Sequence, residues 1–186
     1  GNLIRVEDDD ICIRFTEIFG RHNNLLVNSL VTGVRQGEGG NGVSLDVTVE
    51  GVGKSVSADT LLMAVGRRPN ADLVGAVEGG LEVADNGKIV TDEFLRTNVE
   101  GVWALGDITS PLPLKHYANM EARTVKHNLT NPDHPIKTNY TGGAYAVFSS
   151  PQLASVGLTE RDVHEQGIPH IVGKQDYAGT AYGWAT

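Results

Sequence analysis

The stretch Gly101-Val102-Trp103-Ala104-Leu105-Gly106-Asp107 decides how the rest of the chain is read. A short apolar strand, residues 102–105, runs into a glycine and then a carboxylate. That order puts Asp107 at the C-terminal end of a strand, where α/β folds place their ligands. The plainer alternative is an aspartate capping a turn before Pro111. What lies on either side decides between the two.

Downstream, residues 114–129 carry the strongest helical pattern of the chain, with Ala118, Ala122 and Val125 at helical spacing. The pattern stops before Asn131-Pro132-Asp133-His134-Pro135, a linker by composition. Residues 144–148 and 153–156 read as strands. Thr159-Glu160-Arg161-Asp162 opens another helix, with Thr159 as N-cap and Asp162 at the third helical position.

Upstream, Lys88-Ile89-Val90 is a short strand. Leu61-Leu62-Met63-Ala64-Val65 is a continuous apolar strand, expected to be buried on both faces. Gly66-Arg67-Arg68-Pro69-Asn70 leaves it as a crossing segment, since Pro69 pushes Arg68 into extended backbone. Val43, Leu45, Val47 and Val49 alternate with Ser44, Asp46, Thr48 and Glu50, the pattern of a strand with one wet face. Gly51-Val52-Gly53 turns into residues 54–58, and residues 25–27 and 30–34 are two earlier short strands. Asp8-Asp9-Asp10 caps an amphipathic helix carrying Ile11, Ile13, Phe15, Ile18 and Phe19.

The 186 residues, 40% apolar and 20% charged, have the composition of a chain that buries a core. A net charge of −8 argues against nucleic acid or an anionic membrane as partner. The longest apolar run, residues 61–65, is far too short to span a bilayer, and no secretion signal opens the chain. A single cysteine, Cys12, fits a reducing cytoplasm. The first residue is Gly1, and the last five, Tyr182-Gly183-Trp184-Ala185-Thr186, fall in a segment that reads as structured. The expectation is a fragment of a longer protein.

Several motifs are set aside on mechanism. Gly37-Glu38-Gly39-Gly40-Asn41-Gly42 matches G-x-G-x-x-G, but an alternating strand follows where a phosphate-binding helix is required. It reads as a hairpin loop. Gly51-Val52-Gly53-Lys54-Ser55 imitates the tail of a P-loop but has Thr48 at the leading glycine position. Asn128-Leu129-Thr130 and Asn139-Tyr140-Thr141 are accidental glycosylation matches. The six histidines show no metal-ligand spacing with each other or with Cys12, so no metal is expected.

Three motifs in order carry a resemblance: Ala64-Val65-Gly66-Arg67-Arg68-Pro69-Asn70, then residues 101–107, then Leu114-Lys115-His116 opening the helix that contains Glu121 and Ala122. In this order and spacing they resemble the two-dinucleotide-binding flavoprotein disulfide reductases, the family of lipoamide dehydrogenase and glutathione reductase. Residues 146–160 look like the opening of that family's interface domain. The fold implied combines α/β and α+β parts. Residues 1–66 would end a Rossmann-like NAD(P)-binding domain, 67–141 form the second FAD-binding segment, and 142–186 start the dimerisation domain.

The resemblance implies FAD and NAD(P)H as cofactors, a low-molecular-weight disulfide as substrate, and a cytoplasmic homodimer. Asp107 would accept hydrogen bonds from the ribityl chain of FAD, with Gly106 leaving room for its approach. Pro113, Leu114, Lys115 and His116 would bring a helix N-terminus to the pyrimidine edge of the flavin, chiefly through backbone N–H groups. His116 serves equally well in packing or a polar network. Gly66 would lie close to the dinucleotide and Arg67 at the junction of the cofactor domains. Val65 replaces the threonine usual in the family, which removes a hydroxyl contact there. Ala146 would offer its carbonyl towards the nicotinamide.

Residues 114–123, with His127-Asn128-Leu129, Lys174-Gln175-Asp176-Tyr177 and residues 181–185, most resemble the branch reducing mycothiol disulfide. Lipoamide or glutathione disulfide are the alternatives within the family. A non-catalytic interaction module is the alternative outside it. The Cys-x4-Cys pair, both glycine-rich fingerprints and the His–Glu acid–base pair implied by the resemblance are absent from these residues. No residue here is therefore expected to be catalytic.

Overall fold

A computed structural model of the chain describes residues 1–181 and 183. Tyr182 and residues 184–186 lie outside the described residues, and with them Tyr182, Trp184 and Ala185 of the resemblance at the tail. Helix α1 (Asp9–Gly20) buries Cys12 and Phe15, with Thr16 and Phe19 partly covered, a stripe at helical spacing. Ile11 and Ile13, expected on that face, are 44% and 47% exposed. They flank Cys12 in sequence, and adjacent helical positions do not share a face. The Cys12 thiol donates to the carbonyls of Ile4 at 3.2 Å and Glu7 at 3.4 Å, a packing role.

Strands β1 (Ser29–Gln36), β2 (Val43–Val49) and β3 (Val52–Ala58) form an antiparallel sheet in the order β1-β2-β3. Glu50 and Gly51 form the β2–β3 turn, with φ of 50° and 83°. Two consecutive positive φ values are what a two-residue hairpin loop requires. The glycine-rich stretch joins β1 to β2, and only a 3-10 turn, Glu38–Gly40, interrupts it. No helix starts there, so it offers no N-terminus to a phosphate.

Two expected strands are absent. Residues 25–27 have no strand structure, and Leu26 is 43% exposed. Residues 61–65 are likewise without strand structure, with Leu62, Met63 and Val65 at 85%, 76% and 91% exposure. A strand exists only through ladder bonds to a neighbour. Among the described residues neither sheet extends to this run.

Residues 67–112 are built from turns. Single bridges, Val83 to Ile89 and Arg96 to Trp103, stand where two short strands were expected. Ala71, Ala76, Ile89 and Ala104 pack together there, with Leu81, Val83 and Ile108 against them. Helix α2 (Lys115–Thr130) follows, then β4 (Ala144–Val147) and β5 (Leu153–Val156), an antiparallel pair with Ala146 opposite Ala154. Helix α3 (Glu160–Glu165) starts with the expected capping box between Thr159 and Asp162. Hydrogen bonds from the Thr159 hydroxyl and then its amide hold the Asp162 carboxyl below its ordinary value.

Residues 7–9 meet residues 155–161. The Asp8 side chain does not cap α1; it accepts from the Glu160 amide at 2.6 Å. Arg161 pairs with Asp9 at 2.6 Å, and the Ser155 hydroxyl bonds the Glu7 carboxylate. No helix among the described residues is long and apolar enough to cross a membrane.

Candidate functional site

Helix α2 organises the site. It buries Tyr117, Glu121, Thr124, Val125 and Asn128, while Ala122, expected on the inner face, is exposed. A buried polar stripe is tolerable only where each group finds a partner. Asn128 does so by donating to the carbonyls of Phe94 at 3.3 Å and Ile136 at 3.0 Å. Its carbonyl oxygen accepts from the Ile136 amide at 2.7 Å. An asparagine so engaged, and 3% exposed, is no glycan acceptor.

Glu121 is fully buried. Its carboxylate accepts the Gly106 N–H at 2.5 Å and the Tyr140 hydroxyl at 2.6 Å. Charge-assisted bonds are about twice as strong as neutral ones, so these two offset the cost of burying the charge. The Tyr140 hydroxyl is pushed up to about 12, first by burial and then by its bond to Glu121.

Gly106 opens the 3-10 turn Gly106–Ile108 at φ 77°, a left-handed conformation that favours glycine. Its carbonyl accepts the amides of Thr109 at 3.0 Å and Ser110 at 2.7 Å. Glu121 thus holds one side of this turn, and Asp107 leaves from the other with its side chain half exposed. Asp107 lies 3.5 Å from Nε of Arg67, itself largely exposed. Exposed pairs of this kind contribute at most about 1 kcal/mol. The contact orients two charged groups from separate motifs without consuming them.

Leu114 is extended and precedes α2 without a side-chain cap. The first amides of α2 and the positive end of its dipole are therefore free for another acceptor. They stand at a cleft of about 760 Å³ lined by Leu114, Lys115, His116, Ala146, Phe148 and Ala154. That volume is in the range of small-ligand sites. His116 crosses from α2 to β4, its Nε2 2.8 Å from the Ala144 carbonyl and its ring 4.5 Å from that of Tyr117. A carbonyl only accepts, so this contact places the proton on Nε2. His116 is a strut between helix and hairpin.

The structure thus groups the expected site residues in two sets. Leu114, Lys115, His116 and Ala146 share the cleft, with exposed Pro113 just before them. Arg67, Gly106 and Asp107 form the second set. Gly66 adjoins it in sequence at φ 132°, and a Cβ there would meet nothing within 4 Å. Sequence reasoning missed Glu121 and Tyr140 as supports. The available signal was the spacing of Tyr117, Glu121, Thr124 and Asn128, one face of a helix.

Residues 5–126 match the pyridine nucleotide-disulphide oxidoreductase family. The chain is 43% identical over 187 residues to mycothione reductase of Mycobacterium tuberculosis, covering 98% of this chain and 39% of that protein. It is 38% identical over 151 residues to dihydrolipoyl dehydrogenase of Bacillus subtilis, covering 81% and 31%. Among solved structures it is similar to the Cu(II) complex of the HOCl-induced flavoprotein disulfide reductase RclA from Escherichia coli. There the TM-score is 0.77 at 26% identity, covering 90% of this chain and 37% of the other. LpdA from Mycobacterium tuberculosis gives a TM-score of 0.73 at 27% identity, covering 87% and 34%. The chain spans about two fifths of the mycothione reductase it matches and a smaller share of the dihydrolipoyl dehydrogenase. The mixed helix-and-sheet architecture expected from the motifs is that of these relatives. By the matched residues and the identity to its relatives, the chain belongs to the pyridine nucleotide-disulphide oxidoreductase family.

Proposed function

We propose that this chain is the cofactor-facing portion of an FAD-dependent NAD(P)H:disulfide oxidoreductase whose substrate is mycothiol disulfide. The observation that carries the reading is the uncapped start of α2 opening on an apolar cleft. The residues present fit FAD. Free helix N–H groups suit the electron-rich pyrimidine edge of a flavin, and the exposed Asp107 carboxylate suits ribityl hydroxyls. When bound, FAD would supply the two-electron exchange between a nicotinamide and a disulfide.

The chain's own residues bind and orient. The amides of Lys115 and His116 donate, with Pro113 and Leu114 setting the entry into the helix. Asp107 accepts, on a turn that Glu121 keeps from moving. Gly66 and Arg67 would serve the junction of the two cofactor domains, and the Ala146 carbonyl would be offered to the nicotinamide. Phe148 and Ala154 supply apolar surface to the cleft.

The division of labour is residues 1–66 for NAD(P), 67–141 for FAD and 142–186 for dimerisation. The exposed run at residues 61–65 pairs within a larger sheet of the whole protein, a cytoplasmic homodimer. Mycothiol disulfide is preferred as substrate on the identity to mycothione reductase.

The test is NADH and NADPH oxidation by the whole protein carrying this chain, with mycothiol disulfide, oxidised glutathione and lipoamide compared. Fastest turnover of mycothiol disulfide supports the full reading. Preference for another disulfide keeps the reaction and moves the substrate. No turnover and no bound flavin would refute it.

A further inference from the structure

The chain turns back on itself at the end of α3 in a defined way. At the end of α3, Gly167 takes φ 65°, its amide donates to the His164 carbonyl at 3.1 Å, and the Ile168 amide donates to the Val163 carbonyl at 2.8 Å. These paired bonds around a left-handed glycine are a Schellman motif. The reversal lays residues 168–170 alongside the helix they have just left. His170 consequently meets His164 edge to face, ring centroids 4.9 Å apart and planes at 87°. Glu160 lies one helical turn before His164 and projects on the same side.

One ligand atom from each of Glu160, His164 and His170 lies within 4.8 Å of the others. Around a tetrahedral zinc ion with bonds of about 2.1 Å, ligand atoms stand about 3.4 Å apart. All three side chains are exposed, and small rotations close that difference. The tautomer of His170 is already suited. Its Nδ1–H donates to the Ile168 carbonyl at 2.9 Å, leaving the Nε2 lone pair for a cation. That is the supporting bond metal-bound histidines make through their second nitrogen. The charge around the cluster points the same way. Asp8, Asp9, Asp10 and Glu165 line the adjoining concavity; Arg161 there is paired with Asp9 and Lys174 with Asp10, which leaves the surroundings net acidic.

We infer that Glu160, His164 and His170 form a surface site for a divalent transition-metal cation of the zinc class. Two imidazoles and a carboxylate suit Zn²⁺, Ni²⁺ or Cu²⁺ and not Mg²⁺ or Ca²⁺, which take oxygen ligands. Exposure leaves the remaining positions to water, an open site. The bound cation clips residues 168–170 onto α3. Linear spacing does not disclose the site, because His170 reaches it only through the turn at Gly167.

The test is calorimetric titration of Zn²⁺ into the whole protein carrying this chain, with its thiols alkylated beforehand. The expected result is a binding event that weakens by more than about 100-fold in His164→Ala and in His170→Ala, beyond the loss of a supporting bond. Glu160→Gln weakens it less. Co²⁺ should give the visible absorption of a tetrahedral site, lost in the same variants. Absence of Zn²⁺ binding to the unaltered protein, or unchanged affinity in both histidine variants, overturns the inference. Should a variant fail to fold, Zn²⁺-induced shifts of the His164 and His170 ring protons decide in the unaltered protein. Shifts confined to other histidines overturn it as well.

Discussion

Replacing Glu121 tests whether its carboxylate organises the Asp107 turn or merely fills space. Glu121→Ala removes the acceptor for two donors, the Gly106 amide at 2.5 Å and the Tyr140 hydroxyl at 2.6 Å. Each donor left unpaired in a buried place costs about 1–3 kcal/mol. Gly106 is buried, so its share is the larger. Tyr140 is partly exposed, and water takes over some of its share. With the emptied volume included, the loss should be about 2–4 kcal/mol. Glu121→Gln keeps an oxygen for the Gly106 amide. Its NH₂ group then faces Tyr140, whose hydroxyl can accept in place of donating. Only the charge assistance is lost, and the cost should be about 1 kcal/mol. Urea unfolding of the 186-residue chain measures both, and hydrogen exchange at the Gly106 amide reports the turn directly. If Gln costs as much as Ala, or if Ala costs under about 0.5 kcal/mol, hydrogen bonding from Glu121 is not what holds the turn.

The remaining predictions address groups around the same frame. Tyr140 and Tyr145 are each raised to about 12, by burial first and then by bonds to Glu121 and Glu7. Because these folded values exceed the ordinary 10.0, the stability they contribute is intact below pH 10 and lost as pH rises through 12. A tyrosinate absorbance titration should show late ionisation of Tyr140 and Tyr145, and Glu121→Gln should bring that of Tyr140 earlier. Asp107→Asn should leave unfolding within about 0.5 kcal/mol of the unaltered chain, since its pair with Arg67 is exposed. The same change should lower the flavin retained by the whole protein through purification. Replacing Leu62 and Val65 by Ser should reduce dye binding and self-association of the isolated chain, because both are exposed apolar groups in one run.

What could be read from the residues follows how local each signal is. The α3 capping box and the end of α2 before Pro132 are set by residues a few positions apart and stand where expected, while the β2–β3 turn falls on Glu50 and Gly51 and leaves Val52 and Gly53, expected in the turn, to β3. The run at residues 61–65 failed for the opposite reason. Its apolar character says that it belongs in an interior, but an interior strand is made by neighbours, and the described residues supply none. Helix α2 shows a subtler limit. Counting apolar letters selected Ala118, Ala122 and Val125, whereas the helix buries Tyr117, Glu121, Thr124, Val125 and Asn128. The error came from treating burial as a property of a side chain's own polarity. Glu121 and Asn128 are inside because Gly106, Tyr140, Phe94 and Ile136 supply their partners, from positions 8–34 residues away. The bond from the Gly106 amide to Glu121 also fixes the Asp107 turn to the helix whose free amides open on the cleft. The buried polar face of α2 is therefore what joins the two sets of site residues.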